Sequence, residues 1–319
     1  MNQTSEIEAG LSQSQFERDG YLVLEGHFSP HQVDRAASAI RRLLDERPDE
    51  VVAESLRTGR RTSWAQAEAR EGRHFKFNDL HLMSGELREM ALDPELVPVL
   101  GGALGEPPVL FGSQNYQRGG SLRMHIDSLY TTPRSPHSLA AAWVALEDVQ
   151  PDAGPLFFFP GSHRIPLYRF NDGSHHAAPD EEADWFDYID VQIRLRGLRQ
   201  RKFLARKGDV IVLHGDLVHG GSPVRDAGRT RASLVCQYFG ESDCRDRNLD
   251  IVPLHGGYWM RRRQQAVWVG PAAFDLGLAF PEESYLMRRS DFRDGAEARL
   301  VPSGEFRDGK FACGEGRGA

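Results

Sequence analysis

Met124-His125-Ile126-Asp127 sets a histidine and an aspartate one position apart, and Val218-His219-Gly220-Gly221-Ser222 places another histidine far along the chain. In an extended strand alternate side chains share a face. His125 and Asp127 are therefore expected to project together from one strand, with Ile126 turned into the packing behind it. The third group has to come from elsewhere. His219 follows Gly208-Asp209-Val210-Ile211-Val212-Leu213-His214, an apolar strand ending in a Gly-rich turn. Two imidazoles and one carboxylate can occupy one face of a metal and leave the opposite face open, which suits non-haem Fe(II) handling O2.

With 12 histidines in the chain, a His-x-Asp pair is expected about once by chance. There are two, the other being His214-Gly215-Asp216. Together with His219 that second pair could build a compact cluster of a hydrolytic kind. Gly215 breaks the strand, however, and the distant His125–Asp127 pair would then lack a purpose, so His214 is expected to end its strand as a supporting residue.

If Thr230 to Tyr238 is the next strand, Arg231 and Ser233 share a face, and a guanidinium beside a hydroxyl is a good clamp for a carboxylate. A metal alone does not need that clamp. A dicarboxylate cosubstrate such as 2-oxoglutarate does, since one end chelates iron and the other must be held inside the barrel. Arg229 is the alternative to Arg231. Gln114, Asn115, Tyr116 and Gln117 sit on the strand before His125, and Gln114 and Tyr116 are taken as cosubstrate contacts.

At 319 residues the chain can build one large β domain with added helices. The net charge of -7 argues against general nucleic-acid binding. Cys236, Cys244 and Cys313 form no CxxC and no even framework, which points to a reducing compartment with the thiols as spectators. Met1 to Gly10 is polar, and no apolar stretch is long enough to cross a bilayer. The expectation is a cytoplasmic protein acting on a small molecule, without nucleic-acid or membrane partners.

Along the chain, Gln13 to Arg18 reads as a short helix and Tyr21 to Leu24 as a strand. Ser29, Pro30 and Gln32 form a capping box for a helix burying Val33, Ala36, Ala37, Ile40, Leu43 and Leu44. Glu46 to Arg73 reads as charged and irregular, and Asp93-Pro94 as the start of a helix that stops at Gly101-Gly102. From Pro108 the texture changes to strands over Val109–Tyr116, Leu139–Leu146, Leu156–Phe159, Val210–Leu213 and Ser233–Tyr238, the pattern of a sandwich or barrel. One domain over 1–319 is expected, with a helical part over about 11–105, a core over about 108–240 and an extension over 241–319. The insert over about 164–207 holds Trp185, Phe186 and Tyr188 among acidic residues, followed by a basic half, and reads as a lid. The tail after Ser290 is expected to fray.

Phe16-Glu17-Arg18-Asp19-Gly20-Tyr21-Leu22-Val23-Leu24, His125-x-Asp127, Gly154-Pro155-Leu156 leading to Pro160-Gly161-Ser162-His163, Gly208-Asp209 and Leu217-Val218-His219-Gly220 occur in an order that resembles the phytanoyl-CoA dioxygenase family of Fe(II)/2-oxoglutarate oxygenases. The resemblance spans roughly Phe16 to Tyr238. It implies a mainly β fold with added helices: a double-stranded β-helix (jelly-roll, cupin-like) core behind N-terminal helices. It also implies iron ligands at His125, Asp127 and His219, and Arg231 as partner of the distal carboxylate of 2-oxoglutarate, with Ser233 alongside. The expected reaction is hydroxylation, desaturation or cyclisation at an unactivated carbon of a small metabolite, consuming O2 and releasing succinate and CO2. Asp127 stands where halogenating relatives carry a small residue, which disfavours halogenation. A metal-dependent isomerase or hydrolase on a cupin-like barrel is the alternative, and it would leave Arg231 without a task.

Overall fold

The computed structural model describes residues 14–56, 61–66, 75–120, 123–176, 181–246 and 248–264, with the backbone of a few short strands beyond them. Met1–Gly10, Cys313 and the tail after Ser290, on which the sequence raised expectations, lie outside the residues whose side chains are described. Residues 14–19 are helical, and β1 (Tyr21–Leu24) follows directly. Helix α1 (Pro30–Glu46) opens on the expected box: Ser29 Oγ accepts the Gln32 N–H, and the Gln32 side chain accepts the Ser29 N–H. Its buried stripe is Val33, Ala36, Ala39, Ile40 and Leu43. Ala39 is buried in addition, while Ala37 and Leu44, expected on the stripe, are half-buried.

The stretch read as irregular contains β2 (Val52–Ser55) and β3 (Arg61–Ser63), and β4 (Phe75–Asn78) follows. These short strands escaped the sequence reading because Glu54, Arg61 and Lys76 interrupt their apolar alternation. The three charges meet one another in the fold, as set out below. Helix α2 (Gly85–Ala91) is capped by Ser84, and α3 (Leu96–Leu104) runs through Gly101-Gly102 to end at Gly105, where φ is 77°. The rest comprises β5 (Pro108–Tyr116), β6 (Leu139–Ala145), β7 (Leu156–Phe158), α4 (Glu182–Leu195), β8 (Arg201–Phe203), β9 (Val210–His214), β10 (His219–Gly221), β11 (Ser233–Gly240), α5 (Glu241–Arg245), β12 (Ile251–Leu254) and β13 (Gly257–Met260).

The large sheet runs β1-β9-β6-β11-β5-β4-β2-β3, antiparallel along that path, and β13 joins β5 in parallel while pairing with β12. A second sheet, β10-β7-β8, faces it. This is a double-stranded β-helix with its helices gathered on the outer face. Leu22, Phe77, Leu110, Ala142, Val212 and Leu234 turn outward against Val33, Ile40, Leu87, Leu96 and Leu100 of the helices. Tyr21, Trp143, Ile211 and Leu213 turn inward against Leu156, Phe158 and Phe203 of the small sheet. No helix among the described residues is long and apolar enough to cross a membrane.

Register then decides which polar groups face inward. Ser233 lies opposite Tyr116 and Ala145, Tyr116 opposite Lys76, Val235 opposite Gln114 and Trp143, and Gln237 opposite Ala141. Trp143 and Val235 belong to the inner cluster. By strict alternation Lys76, Gln114, Tyr116, Ser233 and Gln237 share that interior.

Candidate metal and cosubstrate site

His125, Asp127 and His219 converge, with one donor atom of each lying within 4.8 Å of the others. His125 Nε2 and His219 Nε2 each stand 3.9 Å from Asp127 Oδ1. The route to this geometry differs from the expected strand. His125 and His219 form an isolated antiparallel bridge, exchanging N–H···O bonds of 2.8 and 2.9 Å, and Asp127 opens a tight helical turn, Asp127–Leu129. Ile126, extended at φ -116° and ψ 145°, is buried behind them as expected. His219 begins β10, one turn beyond the end of β9 at His214.

Each imidazole is oriented by its own chain. His125 Nδ1 donates to the Arg123 carbonyl at 3.0 Å and His219 Nδ1 to the Leu217 carbonyl at 2.9 Å, which leaves both Nε2 lone pairs directed at Asp127. Burial and the neighbouring His219 push His125 down to about 3, so its ring is neutral at pH 7. Burial likewise raises the Asp127 carboxyl, against the pull of His219 and a hydrogen bond from Gln237. A pocket that disfavours protonated imidazole and free carboxylate alike is complemented by a divalent cation. Donors at about 2.1 Å on adjacent octahedral corners stand roughly 3 Å apart, so side-chain shifts of under about 1 Å bring this set onto one ion.

Arg231 lies just ahead of β11, not within the strand expected from Thr230, yet it points into the same interior. Only 5% of it is exposed, and its guanidinium carbon lies 6.0 Å from the Trp143 ring centroid. Its Nη1 donates to the Gly154 carbonyl at 2.6 Å, its Nε has no partner, and no carboxylate pairs with it among the described residues. Burial accordingly lowers its pKa, with Tyr116 pulling the other way. Ser233 Oγ, fully buried, also lacks a partner. Two orphaned donors in one interior are a cost that a bound anion removes. Arg229 is half-exposed and bridged to Asp152 and Asp226. Tyr116 OH donates to Gln114 Oε1 at 2.7 Å on the inner face, whereas Asn115 turns away to bond the Ser233 carbonyl.

The sequence reading missed Lys76, Glu54 and Gln237. Lys76 Nζ lies 3.1 Å from Glu54 Oε1, and Arg61 Nε 3.0 Å from Glu54 Oε2. Burial would raise the Glu54 carboxyl, but Lys76 and Arg61 outweigh it and hold it at about 2. A cationic ammonium thus stands beside Tyr116 in the interior. Only the pairing of β4 with β5 reveals it, and β4 has no signal of its own.

The insert is anchored. Trp185, Phe186, Ile189 and Ile193 of α4 pack against Ile126, Leu129 and Val218, so its aromatic residues are committed to the wall behind the triad. The Arg123 guanidinium stacks 3.3 Å from the Phe186 centroid. Within the described residues the acidic and basic halves of the insert meet in the ion pair Arg194–Asp190, along one helix face. His163 Nε2 donates to the Glu17 carbonyl and the half-buried His175 donates from Nδ1 to the Tyr168 carbonyl. Cys236 and Cys244 are buried, and neither is in a disulfide. In the unassigned region after Tyr238, Arg262 is buried at 2.7 Å from Asp79 and bonds the Phe111 carbonyl, tying that segment to β5.

A double-stranded β-helix carrying this face is the build of the Fe(II)/2-oxoglutarate-dependent oxygenases, the class to which the matching family belongs. The chain belongs to the phytanoyl-CoA dioxygenase (PhyH) family, whose sequence pattern matches residues 16–232. Phytanoyl-CoA dioxygenase 1 of Oryza sativa subsp. japonica is 33% identical over 107 residues, which is 32% of this chain and 33% of that protein. The chain therefore spans about a third of the length of that relative. Among solved structures, the epimerase SnoN from nogalamycin biosynthesis, in complex with Fe3+, alpha ketoglutarate and nogalamycin RO, superposes with a TM-score of 0.55 at 20% identity, covering 81% of this chain and 100% of that one. EctD from S. alaskensis with 2-oxoglutarate and 5-hydroxyectoine gives 0.55 at 23% identity, covering 73% and 76%.

Proposed function

We propose that this enzyme is an Fe(II)- and 2-oxoglutarate-dependent dioxygenase that hydroxylates an unactivated carbon of a small organic metabolite. The observation that carries the reading is the joint presence of the His125–Asp127–His219 face and a buried Arg231 that has no anion of its own. An isomerase or hydrolase on the same barrel would need the first and leave the second as an uncompensated burial.

In this reading His125 Nε2, His219 Nε2 and one Asp127 oxygen hold iron, and the Arg123 and Leu217 carbonyls fix the two ring tautomers. Gln237 steadies the Asp127 carboxylate. Arg231 and Ser233 receive the distal carboxylate of 2-oxoglutarate, with Gln114 and Tyr116 lining the same pocket and Lys76 adding positive charge beside it. Bound iron with 2-oxoglutarate supplies the oxidising power, O2 reduction being coupled to decarboxylation to succinate and CO2. The Ile126–Val218–Trp185 packing keeps water from the rear of the centre. Tyr130, 43% exposed with its ring 5.9 Å from that of His125, stands where substrate enters. How the substrate carbon is held selects among hydroxylation, desaturation and ring closure. The test is anaerobic loading with Fe(II) and 2-oxoglutarate, followed by O2 and quantification of succinate. Stoichiometric iron without succinate, uncoupled or coupled, sinks the reading.

A further inference from the structure

Beside the triad lies a second knot of polar side chains that the proposed reaction does not use. Asp216 is 3% exposed, in the turn between β9 and β10, and both of its carboxylate oxygens are engaged: Oδ1 accepts from Ser128 Oγ, and Oδ2 from His137 Nδ1 at 2.5 Å. Its backbone N–H donates to His214 Nδ1 at 3.0 Å, and the neighbouring Gly215 carbonyl accepts the Ser128 N–H at 3.1 Å. His137, His214 and Asp216 lie close enough to suggest a second metal cage. The Nδ1 atoms of both histidines and both Asp216 oxygens are already engaged in internal hydrogen bonds, so the group is built as a tie.

What it ties is specific. Ser128 follows Asp127 within the turn Asp127–Leu129, and Asp216 precedes His219 by three positions. One carboxylate therefore clamps the segment bearing Asp127 to the segment bearing His219. Burial pushes that carboxyl up, yet His137, His214 and Ser128 hold it below the ordinary aspartate range, so the clamp is charged and its hydrogen bonds are charge-assisted.

Resting on the iron reading above, we propose that Asp216 is a positioning residue for the metal centre, setting the spacing between Asp127 and His219 through Ser128, with His137 holding its second oxygen. Outer partners that orient a ligand typically contribute about 10–100-fold to metal affinity. Asp216→Asn presents an amide N–H to one of its donors, so Fe(II) affinity is expected to drop within that range, and the visible absorption of the anaerobic Fe(II)–2-oxoglutarate complex to shift or broaden. Ser128→Ala, which cuts only the link to the Asp127 turn, should weaken iron several-fold with little change in Tm. His137→Gln, able to donate to Asp216 from its amide, should retain most of the affinity, whereas His137→Leu should not. Wild-type affinity and absorption in both Asp216→Asn and Ser128→Ala overturn the positioning role while leaving the iron reading intact. If Asp216→Asn fails to fold, Ser128→Ala with the two His137 variants decides. Wild-type protein that binds no Fe(II) overturns the iron reading and this inference with it.

Discussion

Replacing Arg231 by Met separates the cosubstrate's requirements from the fold's. In the folded protein this guanidinium keeps one hydrogen bond, to the Gly154 carbonyl, and leaves Nε without a partner. Two charge-assisted bonds to the distal carboxylate of 2-oxoglutarate contribute about 1.5 to 3 kcal/mol each, roughly 3 to 6 kcal/mol together. At about 1.4 kcal/mol per decade this predicts a rise of about a hundredfold or more in the KM for 2-oxoglutarate, with Fe(II) affinity preserved. Stability should move differently. Arg231 is a buried charge without a counter-ion, and an apolar side chain of similar length removes that penalty. The Tm of the cosubstrate-free Arg231→Met protein is therefore expected to equal or exceed the wild-type value. Arg231→Lys should not rescue binding, because a point charge cannot span both oxygens in the plane of a fork. The assay is succinate formation against 2-oxoglutarate concentration, alongside thermal melts of the cosubstrate-free proteins. A KM within about threefold of wild type for Arg231→Met, or a large rise for the exposed control Arg229→Ala, refutes the assignment.

His219→Ala removes one of three donors and is expected to abolish stoichiometric Fe(II) binding, measured by metal analysis after desalting, while the β10–β7 pairing keeps the fold. Gly154→Ala forces a side chain onto a residue at φ +75°, with its Cβ 2.8 Å from the Ser222 carbonyl; a loss of about 1 to 3 kcal/mol in stability and a raised KM for 2-oxoglutarate should appear together, since Gly154 holds Arg231. Metal-free protein should lose stability as pH falls from about 6.5 toward 4: His81, His125 and His214 are held at about 3, 3 and 4, so the unfolded chain takes up protons that the folded one refuses, at about 1.4 kcal/mol per pH unit for each such histidine. Asp127, whose folded pKa is raised, contributes in the opposite direction, its term growing less favourable as pH rises through its unfolded value. Melts at pH 7, 6 and 5 with a flat Tm would contradict this. Trp185→Ala, emptying a fully buried site behind Ile126 and Val218, is expected to cost about 3 to 5 kcal/mol and to lower the yield of oxidised product per succinate.

How much of this was legible in the chain follows from the range over which each signal acts. The capping box at Ser29, the strand at Tyr21 to Leu24 and the apolar runs from Pro108 onward are local patterns, and each became the element expected. The spacing of His125 and Asp127 pointed to a common direction, but the conformation was misjudged: a bridge followed by a helical turn brings the pair together as well as a strand would, and periodicity cannot distinguish them over three residues. Arg231 and Arg229 are equivalent on paper. Only burial separates them, because it depends on what packs above β11. Lys76 and Glu54 were invisible for the converse reason, since charged residues in short strands read as solvent-facing until a partner neutralises them.

The same reasoning applies to the insert expected to act as a lid, whose helix α4 packs against the segment behind the triad. Its acidic residues occupy the outer face, while Trp185, Phe186, Ile189 and Ile193 recur at helical spacing and bury against the segment that bears His125. The charges that dominate its composition are thus poor guides to its role, and the apolar stripe beneath them is the better one. The insert contributes to the site by backing Ile126 and stacking on Arg123, whose carbonyl orients His125. A substitution at Phe186 should consequently be felt at the metal before it is felt at the substrate. Phe186→Ala is expected to weaken Fe(II) binding more than it raises the KM of any substrate, and the reverse ranking would return α4 to the role of a lid.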